Sequence, residues 1–169
     1  WENIQNMKLL DTNILIYACK PKYSYLRKLF SEPNVFVWDI TKIEALGFHK
    51  ITQPEKDFFE DVFNVLPSIS FSEAIIQKTI ELKQSRKIAL GDALIAATAI
   101  IQNLTLITTN TKDFRGIAEL EMENPKIWFF KMYSTVVKSC FTQPQLHYRF
   151  VITTSPFKIT LATIALAAT

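Results

Sequence analysis

Short apolar segments of strand type alternate with longer segments of helix type along residues 7–125, and this order restricts the fold more than any other feature. Met7–Leu10 is short and apolar, Thr12–Cys19 has a helical pattern, and Val35–Trp38 is β-branched and aromatic. Strands that alternate with helices form a mostly parallel sheet, because each helix carries the chain back to the same edge. The sequence therefore predicts an α/β domain over residues 7–125.

The remaining elements follow from periodicity and from the positions of proline. We predict helices over Lys22–Ser31, Thr41–Ile51, Glu55–Leu66, 72–86 and Asp92–Asn103, and strands over Ser68–Phe71, Leu104–Thr108 and Ile117–Met122. Helices are expected to stop before Pro21, Pro33 and Pro54, and Ser72 is the expected N-cap of the helix over 72–86. The chain has only 3 glycines, which argues against a turn-rich all-β fold.

Residues 126–169 differ in charge from the rest of the chain. They carry 5 Lys/Arg and no acid, a net charge of +5, whereas residues 1–125 carry 14 Lys/Arg and 16 Asp/Glu, a net charge of −2. The apolar stretch Ile159–Ala168 is too short to span a bilayer, so no membrane association is expected. We interpret 126–169 as a C-terminal extension of unknown structure. Extra strands, an oligomerisation arm and a poorly ordered segment all remain open.

Two further expectations concern the chain as a whole. Residues 1–6 are expected to be an upstream extension, because Met7 begins a more typical opening. Cys19 and Cys140 are far apart and match no metal-ligand spacing. Two free thiols fit a reducing compartment, so the predicted location is cytoplasmic.

Two acidic residues in the first half of the chain stand out as candidates for a site. Asp11 directly follows the first strand, at the end where α/β sheets form ligand sites, although it could simply cap the next helix. Glu44 falls on the apolar stripe of its predicted helix. The stripe consists of Ile40, Ile43, Gly47, Phe48 and Ile51. A carboxylate that faces the core is costly unless it is paired or binds a metal, so the alternative is a buried salt bridge.

Two more acids in the second half of the chain lie close to the start of a helix or the end of a strand. Asp92 begins a helix whose inner face includes Ile95, Ala96 and Ala99, although an acid at a helix start is also favoured by the dipole. Asp113 follows the strand Leu104–Thr108 after a short polar turn, and it could cap a helical turn. Gathered carboxylates repel one another, and a hard divalent cation such as Mg²⁺ offsets that repulsion. The matching chemistry is metal-assisted hydrolysis of a phosphodiester.

These segments resemble the motifs of PIN domains of the VapC toxin type. Leu9–Tyr17 looks like the opening motif, Gly91–Ala99 looks like the helix of the third acid, and Leu106–Phe114 is similar to the segment of the fourth acid. Thr41–Glu44 fits the second acid, which is a weaker motif. No acid that the pattern expects is missing.

The resemblance implies a three-layer α/β/α sandwich, Mg²⁺ or Mn²⁺ dependence and endonucleolytic cleavage of RNA. It also implies a cognate antitoxin partner and a homodimer. The implied metal ligands are Asp11, Glu44, Asp92 and Asp113. By the same resemblance, Thr12 and Asn13 support Asp11, and Asn110 forms a hydrogen bond within the acidic site. The resemblance does not extend to residues 126–169.

Other polar residues have weaker signals. Lys87, Lys112 and Arg115 flank the acidic segments and could meet substrate phosphates, although solvated surface charges would look the same. His49 follows Glu44 by about one helical turn, but a surface or partly buried histidine is the better interpretation than a general base. The sequence has no phosphate-cradling glycine loop and no grouping typical of covalent catalysis.

Three other functions compete with the nuclease. A haloacid-dehalogenase-type phosphatase requires a second Asp where this chain has Asn13. A receiver-type regulatory module that binds Mg²⁺ has adjacent acids early in the chain, whereas these acids are spread over the domain. A non-catalytic RNA-binding module that uses the basic residues 126–169 is the third alternative. The sequence does not indicate which RNA would be cut.

Overall fold

The computed structural model of this protein describes residues 7–125, and its core is a five-stranded sheet. The strands are β1 (Lys8–Leu10), β2 (Val35–Trp38), β3 (Ser68–Ile69), β4 (Thr105–Ile107) and β5 (Met122–Glu123). The helices are α1 (Thr12–Cys19), α2 (Asp39–Leu46), α3 (Gln53–Val65), α4 (Glu73–Ser85) and α5 (Leu90–Ile101), with a 3-10 segment at Pro21–Ser31. The expectations for residues 1–6 and 126–169 lie outside the described residues.

The strand order is β3-β2-β1-β4-β5, and every neighbouring pair is parallel. The chain moves outward from β1 to β3 and then crosses to the opposite side of β1 to form β4. Leu9 of β1 therefore has Phe36 on one side and Leu106 on the other. Such a reversal leaves a crevice at the carboxyl ends of the two central strands, which is where α/β sheets bind ligands.

Helices cover both faces of the sheet, because successive strand residues point to opposite sides. One buried cluster contains Leu9, Leu106, Ile75, Ala96 and Phe114. The other contains Leu10, Ile107, Ile14, Leu26 and Phe59. Helices α4 and α5 thus lie on one face, and α1, α3 and the 3-10 segment lie on the other. The predicted α/β/α sandwich with a parallel central sheet is confirmed.

The predicted boundaries around Pro54 were wrong. Helix α2 ends at Leu46 with Gly47 as its C-cap, instead of continuing to Ile51. Pro54 lies in the first turn of α3, where its missing N–H costs nothing, and so it begins the next helix rather than ending the previous one. The carboxylate of Glu55 accepts a 2.9 Å hydrogen bond from the Thr52 backbone N–H at this start.

Two other predicted elements differ in the structure, and one predicted helix cap is confirmed. The segment Pro21–Ser31 is a 3-10 segment with a non-helical kink at Tyr23, not an α-helix. The predicted strand Ile117–Met122 is mostly turn, because Ile117 and Leu120 reach the core from successive hydrogen-bonded turns. The N-cap at Ser72 is confirmed, since its Oγ accepts a 3.3 Å hydrogen bond from the Ile75 backbone N–H. Among residues 7–125, no helix combines the length and apolar character needed to cross a bilayer.

Candidate functional site

Asp11 lies at the carboxyl end of the central strand and is fixed from two sides. Its backbone N–H donates to the Ile107 carbonyl at 3.0 Å, which holds it beside β4. Its carboxylate caps α1 through the Asn13 backbone N–H at 3.4 Å, and it also accepts from Asn13 Nδ2 at 3.3 Å. The hydroxyl of Thr108 donates to Asp11 Oδ2 at 2.6 Å. Asp11 is therefore an N-cap and also a carboxylate presented at the crevice.

Glu44 lies near Asp11, but not for the reason that the sequence suggested. Its predicted core-facing stripe is wrong: Ile43 is 65% exposed, Phe48 is 53% exposed, and Glu44 is exposed as well. The buried residues of α2 are Thr41 and Ala45. In a helix of two turns, a few apolar residues do not determine which face is buried. The carboxylate is instead held by the Thr12 hydroxyl, which donates to Oε2 at 2.5 Å.

A buried threonine supports this contact. Thr41 is fully buried, and its Oγ1 lies 3.2 Å from Thr12 Oγ1. Because the Thr12 hydroxyl has one proton and uses it on Glu44, the Thr41 hydroxyl is the donor in this second contact. The result is a chain of hydrogen bonds from Thr41 through Thr12 to Glu44.

Asp92 is partly buried close to the other three acids. It lies in the first turn of α5, whose inner residues Ile95, Ala96 and Ala99 are buried as predicted. Partial burial is the first cause that raises the pKa of the Asp92 carboxyl, and the charge of Asp113 is the second. The carboxylates of Asp11 and Glu44 raise the same pKa further. A shift caused by all three other acids means that the four share one region of negative potential.

Gly91, the residue before Asp92, lies close to the carboxylate of Glu44. A Cβ added to Gly91 would lie 3.6 Å from Glu44 Oε1, which is ordinary van der Waals contact. The first turn of α5 therefore packs directly against the carboxylate of α2.

Asp113 reaches the site from an exposed turn after β4. Its carboxylate accepts a short hydrogen bond from Asn110 Nδ2. The backbone N–H of Asn110 in turn donates to Thr108 Oγ1 at 3.0 Å. Thr108 thus connects the turn of Asp113 to the carboxylate of Asp11.

The predicted basic residues are not drawn to the acids. Lys87, Lys112 and Arg115 are exposed, and within residues 7–125 no lysine or arginine forms an ion pair with the four carboxylates. The exposed His49 packs its ring against Phe48 with centroids 5.2 Å apart. The negative charge of the site is therefore uncompensated by the described cations.

The part of the chain that carries the site is similar to known proteins. A family model described as the PIN domain matches residues 8–120. The chain belongs to the PIN-domain family. A ribonuclease VapC of Rickettsia bellii (strain RML369-C) is 38% identical over 126 residues, which cover 68% of this chain and 92% of that protein.

Two solved structures resemble this PIN domain as well. A toxin-antitoxin complex from Klebsiella pneumoniae has 31% identity and a TM-score of 0.57, covering 70% of this chain and 97% of its own. The VapBC2 structure from Rickettsia felis, bound to a DNA fragment from the promoter, has 29% identity and a TM-score of 0.59, covering 69% and 97%. The predicted resemblance to the VapC type is confirmed.

The sequence interpretation of this PIN domain overlooked two threonines. Thr108 was assigned only as the last residue of a strand, and Thr41 only as the start of a motif. The available signal was a polar residue at the end of an apolar strand, next to the polar turn that carries Asp113. Both hydroxyls orient a carboxylate, directly or through Thr12.

The donor set of the PIN domain fits a hard divalent cation. The donors are carboxylate oxygens, and the pKa of one of them, Asp92, is raised. No lysine or arginine of the described residues lies within ion-pair distance of these carboxylates. Within the described part of the chain, however, no group of three or more acidic, histidine or cysteine side chains is gathered closely enough to hold a metal ion. A cation that keeps several of its waters, as Mg²⁺ does, needs only one or two protein carboxylates.

Proposed function

We propose that this chain is a metal-dependent endoribonuclease that hydrolyses RNA phosphodiesters and is the toxin of a VapBC-like toxin–antitoxin pair. The observation that carries the proposal is the raised pKa of Asp92 beside three further carboxylates, with no described cation to balance them. A purely structural cluster of acids would destabilise the fold with no gain. The 38% identical ribonuclease VapC supports the same reaction.

We propose Asp11, Glu44, Asp92 and Asp113 as the residues that hold Mg²⁺ or Mn²⁺. A bound divalent ion would supply an acidified water and stabilise charge on the leaving oxygen. The chain itself orients the ligands. The Thr108 hydroxyl and Asn13 hold Asp11, Thr12 holds Glu44, and Asn110 holds Asp113. Directed hydrogen bonds of this kind keep carboxylates in place before any ligand arrives.

Further proposals concern substrate and partners. Lys87, Lys112 and Arg115 are exposed, so they are available to meet RNA phosphates at the rim of the site. The similar structures are described as a toxin-antitoxin complex and as VapBC2, and on that basis we propose an antitoxin protein as the partner. The homodimer that the family resemblance implies is our proposal for the assembly. We also propose a cytoplasmic location, which the proposed RNA substrate and the free thiol of Cys19 support.

The test is cleavage of a mixture of transfer and ribosomal RNA by the purified full-length chain in Mg²⁺, Mn²⁺ or EDTA. Asp92→Asn is the inactive variant, and Asp61→Asn is the matched control, because Asp61 is an exposed acid on α3. We expect metal-dependent cutting by the wild type and the control only. Thermal melts give a second readout, since saturation at about 100 times Kd adds about 2.7 kcal/mol of stability.

The two readouts separate the alternatives. Stabilisation by metal without cleavage of any of these RNAs would indicate a metal-binding regulatory module instead of a nuclease. Cleavage by Asp92→Asn at the wild-type rate would remove the acidic site from the mechanism. Cleavage that persists in EDTA would contradict the metal dependence.

A further inference from the structure

The turn that carries Asp113 is tied by an arginine to the loop that leads into α5. Arg86, which directly follows α4, donates from Nη1 to the Arg115 carbonyl and from Nη2 to the Gly116 carbonyl, both at 2.8 Å. The two acceptors follow Asp113 by two and three residues, and the loop from Arg86 leads to Asp92 in the first turn of α5. One guanidinium therefore joins the backbone segments of two of the four acids.

The segment that contains Asp113 has no helix or strand to hold it. Residues 108–121 connect β4 to β5 and consist of turns and irregular backbone. Asn110 holds the exposed carboxylate of Asp113, but this contact lies within the segment and moves together with it. The buried Phe114 fixes the segment to the core next to Asp113. The backbone can pivot about one buried side chain, whereas the contacts of Arg86 add two fixed points directly after it.

The loop that carries Arg86 is itself well held. Lys83 Nζ donates to the Ile88 carbonyl at 2.7 Å, which ties the loop to the last turn of α4, and the Ile88 side chain is buried. The loop also leads directly into α5, whose inner face is packed in the core. The guanidinium of Arg86 therefore projects from a fixed base, which a side chain needs if it is to position another segment.

The close approach of the guanidinium requires glycine at position 116. A Cβ added to Gly116 would lie 2.9 Å from Arg86 Nη2, which is closer than such atoms normally come. The φ of Gly116 is +78°, in the left-handed region that residues with a side chain rarely adopt. The turn after Asp113 therefore has both the backbone shape and the open space that the contact needs.

The contact depends on the shape of arginine and not on its charge alone. A guanidinium carries several N–H groups in one plane, so two of its nitrogens can reach two successive carbonyls, whereas a lysine has a single nitrogen. Among residues 7–125, no acid forms an ion pair with Arg86. The hydrogen bonds of its guanidinium in this part of the chain go to neutral carbonyls of the turn.

We propose that Arg86 is a positioning residue, which fixes Asp113 relative to Asp92 through the backbone of the turn. This inference rests on the proposed metal-dependent nuclease function, which gives the two carboxylates their use. The charge of Asp113 has the largest effect among the three acids that raise the pKa of Asp92, so this pair is the most sensitive to a shift of the turn. Carboxylates that are held in place before an ion arrives bind it more tightly than mobile ones.

The first readout is made without metal. Hydrogen exchange of the backbone amides is followed by mass spectrometry on the full chain in EDTA. The matched control is Arg27→Gln, because the Arg27 guanidinium also donates to two successive carbonyls, those of Ala18 and Cys19, at 2.8 and 3.2 Å. We expect Arg86→Gln to speed exchange in residues 109–117 about 10-fold and to leave α1 unchanged. Arg27→Gln should leave residues 109–117 unchanged.

The second readout is the affinity for Mn²⁺, measured from the EPR signal of the free ion with Asp92→Asn as the blank. Arg86→Gln should raise the Kd about 10-fold, at the lower end of the effect of losing a residue that orients a metal ligand, because Arg86 acts through the backbone. Arg86→Lys keeps the charge but not the double contact, so it should bind almost as weakly. In a chain that already carries Asp113→Asn, Arg86→Gln should have no further effect. Arg27→Gln should bind Mn²⁺ like the wild type.

Each outcome decides the proposal. Equally faster exchange in every segment would overturn it by showing a general loss of stability, and full Mn²⁺ affinity in Arg86→Lys would overturn it by showing a role of charge alone. An undiminished effect of Arg86→Gln in the Asp113→Asn chain would also overturn it. If both readouts behave as expected but the wild type cuts no RNA, the positioning role stands and the nuclease is overturned. If the wild type cuts RNA while Arg86→Gln matches it in both readouts, the nuclease stands and the positioning role fails. A wild type that binds no Mn²⁺ would overturn the metal site and this use of Arg86 together.

Discussion

Replacing Thr108 by valine removes one hydroxyl and almost nothing else, which makes it a sharp test of how the acidic site is held. The side chain is fully buried, and valine has nearly the same shape, so no cavity results. The hydroxyl donates to Asp11 Oδ2 at 2.6 Å and accepts from the Asn110 backbone N–H at 3.0 Å. The substitution therefore removes both contacts at once.

The expected loss in the free energy of unfolding has two contributions. A hydrogen bond to a charged group contributes about 1.5–3 kcal/mol, and the lower end applies because Asp11 is only partly buried. An amide N–H that loses its acceptor costs about 1 kcal/mol more when it is half-buried. The free energy of unfolding of Thr108→Val should thus fall by about 2–3 kcal/mol. For a chain of this length, that corresponds to a Tm lower by about 5–10 °C.

The assay compares Thr108→Val, Thr108→Ser and wild type in thermal melts and in RNA cleavage. Serine keeps the hydroxyl, so it should retain most of the stability and the activity. Valine should also slow cleavage beyond what its lower stability explains, because Asp11 and the turn of Asp113 lose their common partner. A valine variant with wild-type Tm and wild-type cleavage would refute the reasoning.

Two further predictions test the electrostatics and packing of the site. In EDTA at neutral pH, Asp92→Asn should raise the midpoint of thermal unfolding, because Asp113, Asp11 and Glu44, together with burial, raise the pKa of Asp92 and disfavour its charged form. The difference should close as the pH falls through that raised pKa toward the ordinary value of about 3.9, since wild-type Asp92 is then neutral; a constant difference would point to another cause. Gly91→Ala should keep RNA cleavage and add about 0.5 kcal/mol in urea unfolding, because its Cβ would rest 3.6 Å from Glu44 Oε1, whereas Gly91→Leu should displace that carboxylate and lower cleavage. Equal cleavage by both Gly91 variants would contradict the packing argument.

Three of the four acids could be located from the sequence, because their positions depend only on where strands end and helices begin. Asp11 and Asp113 come after parallel strands, and Asp92 lies in the first turn of a helix, so the topology itself brings them to one edge. Glu44 was predicted from an apolar stripe of which Ile43 and Phe48 are exposed in the structure. Its place in the site depends on the Thr12 hydroxyl, which a periodicity argument does not detect.

The contacts that fix the acids were harder to predict, because they join residues far apart in the chain. Thr108 and Asp11 are 97 residues apart, and no local pattern marks them as partners. The 3-10 segment Pro21–Ser31 contains a kink at Tyr23, whereas the sequence predicted an ordinary helix there. Local periodicity specifies elements, whereas tertiary packing decides which polar groups meet.

The long separation between Asp11 and Thr108 also bears on how the protein is synthesised. Strand β1 leaves the ribosome early, but its neighbour β4 and the hydroxyl that holds Asp11 are made about a hundred residues later. A nascent chain that stops before Thr105 has the first three carboxylates without the strand that aligns the first of them, and without Asp113. Non-local contacts of this kind form only after the intervening chain is available. The order of synthesis therefore keeps the acidic site incomplete until nearly the whole domain has emerged.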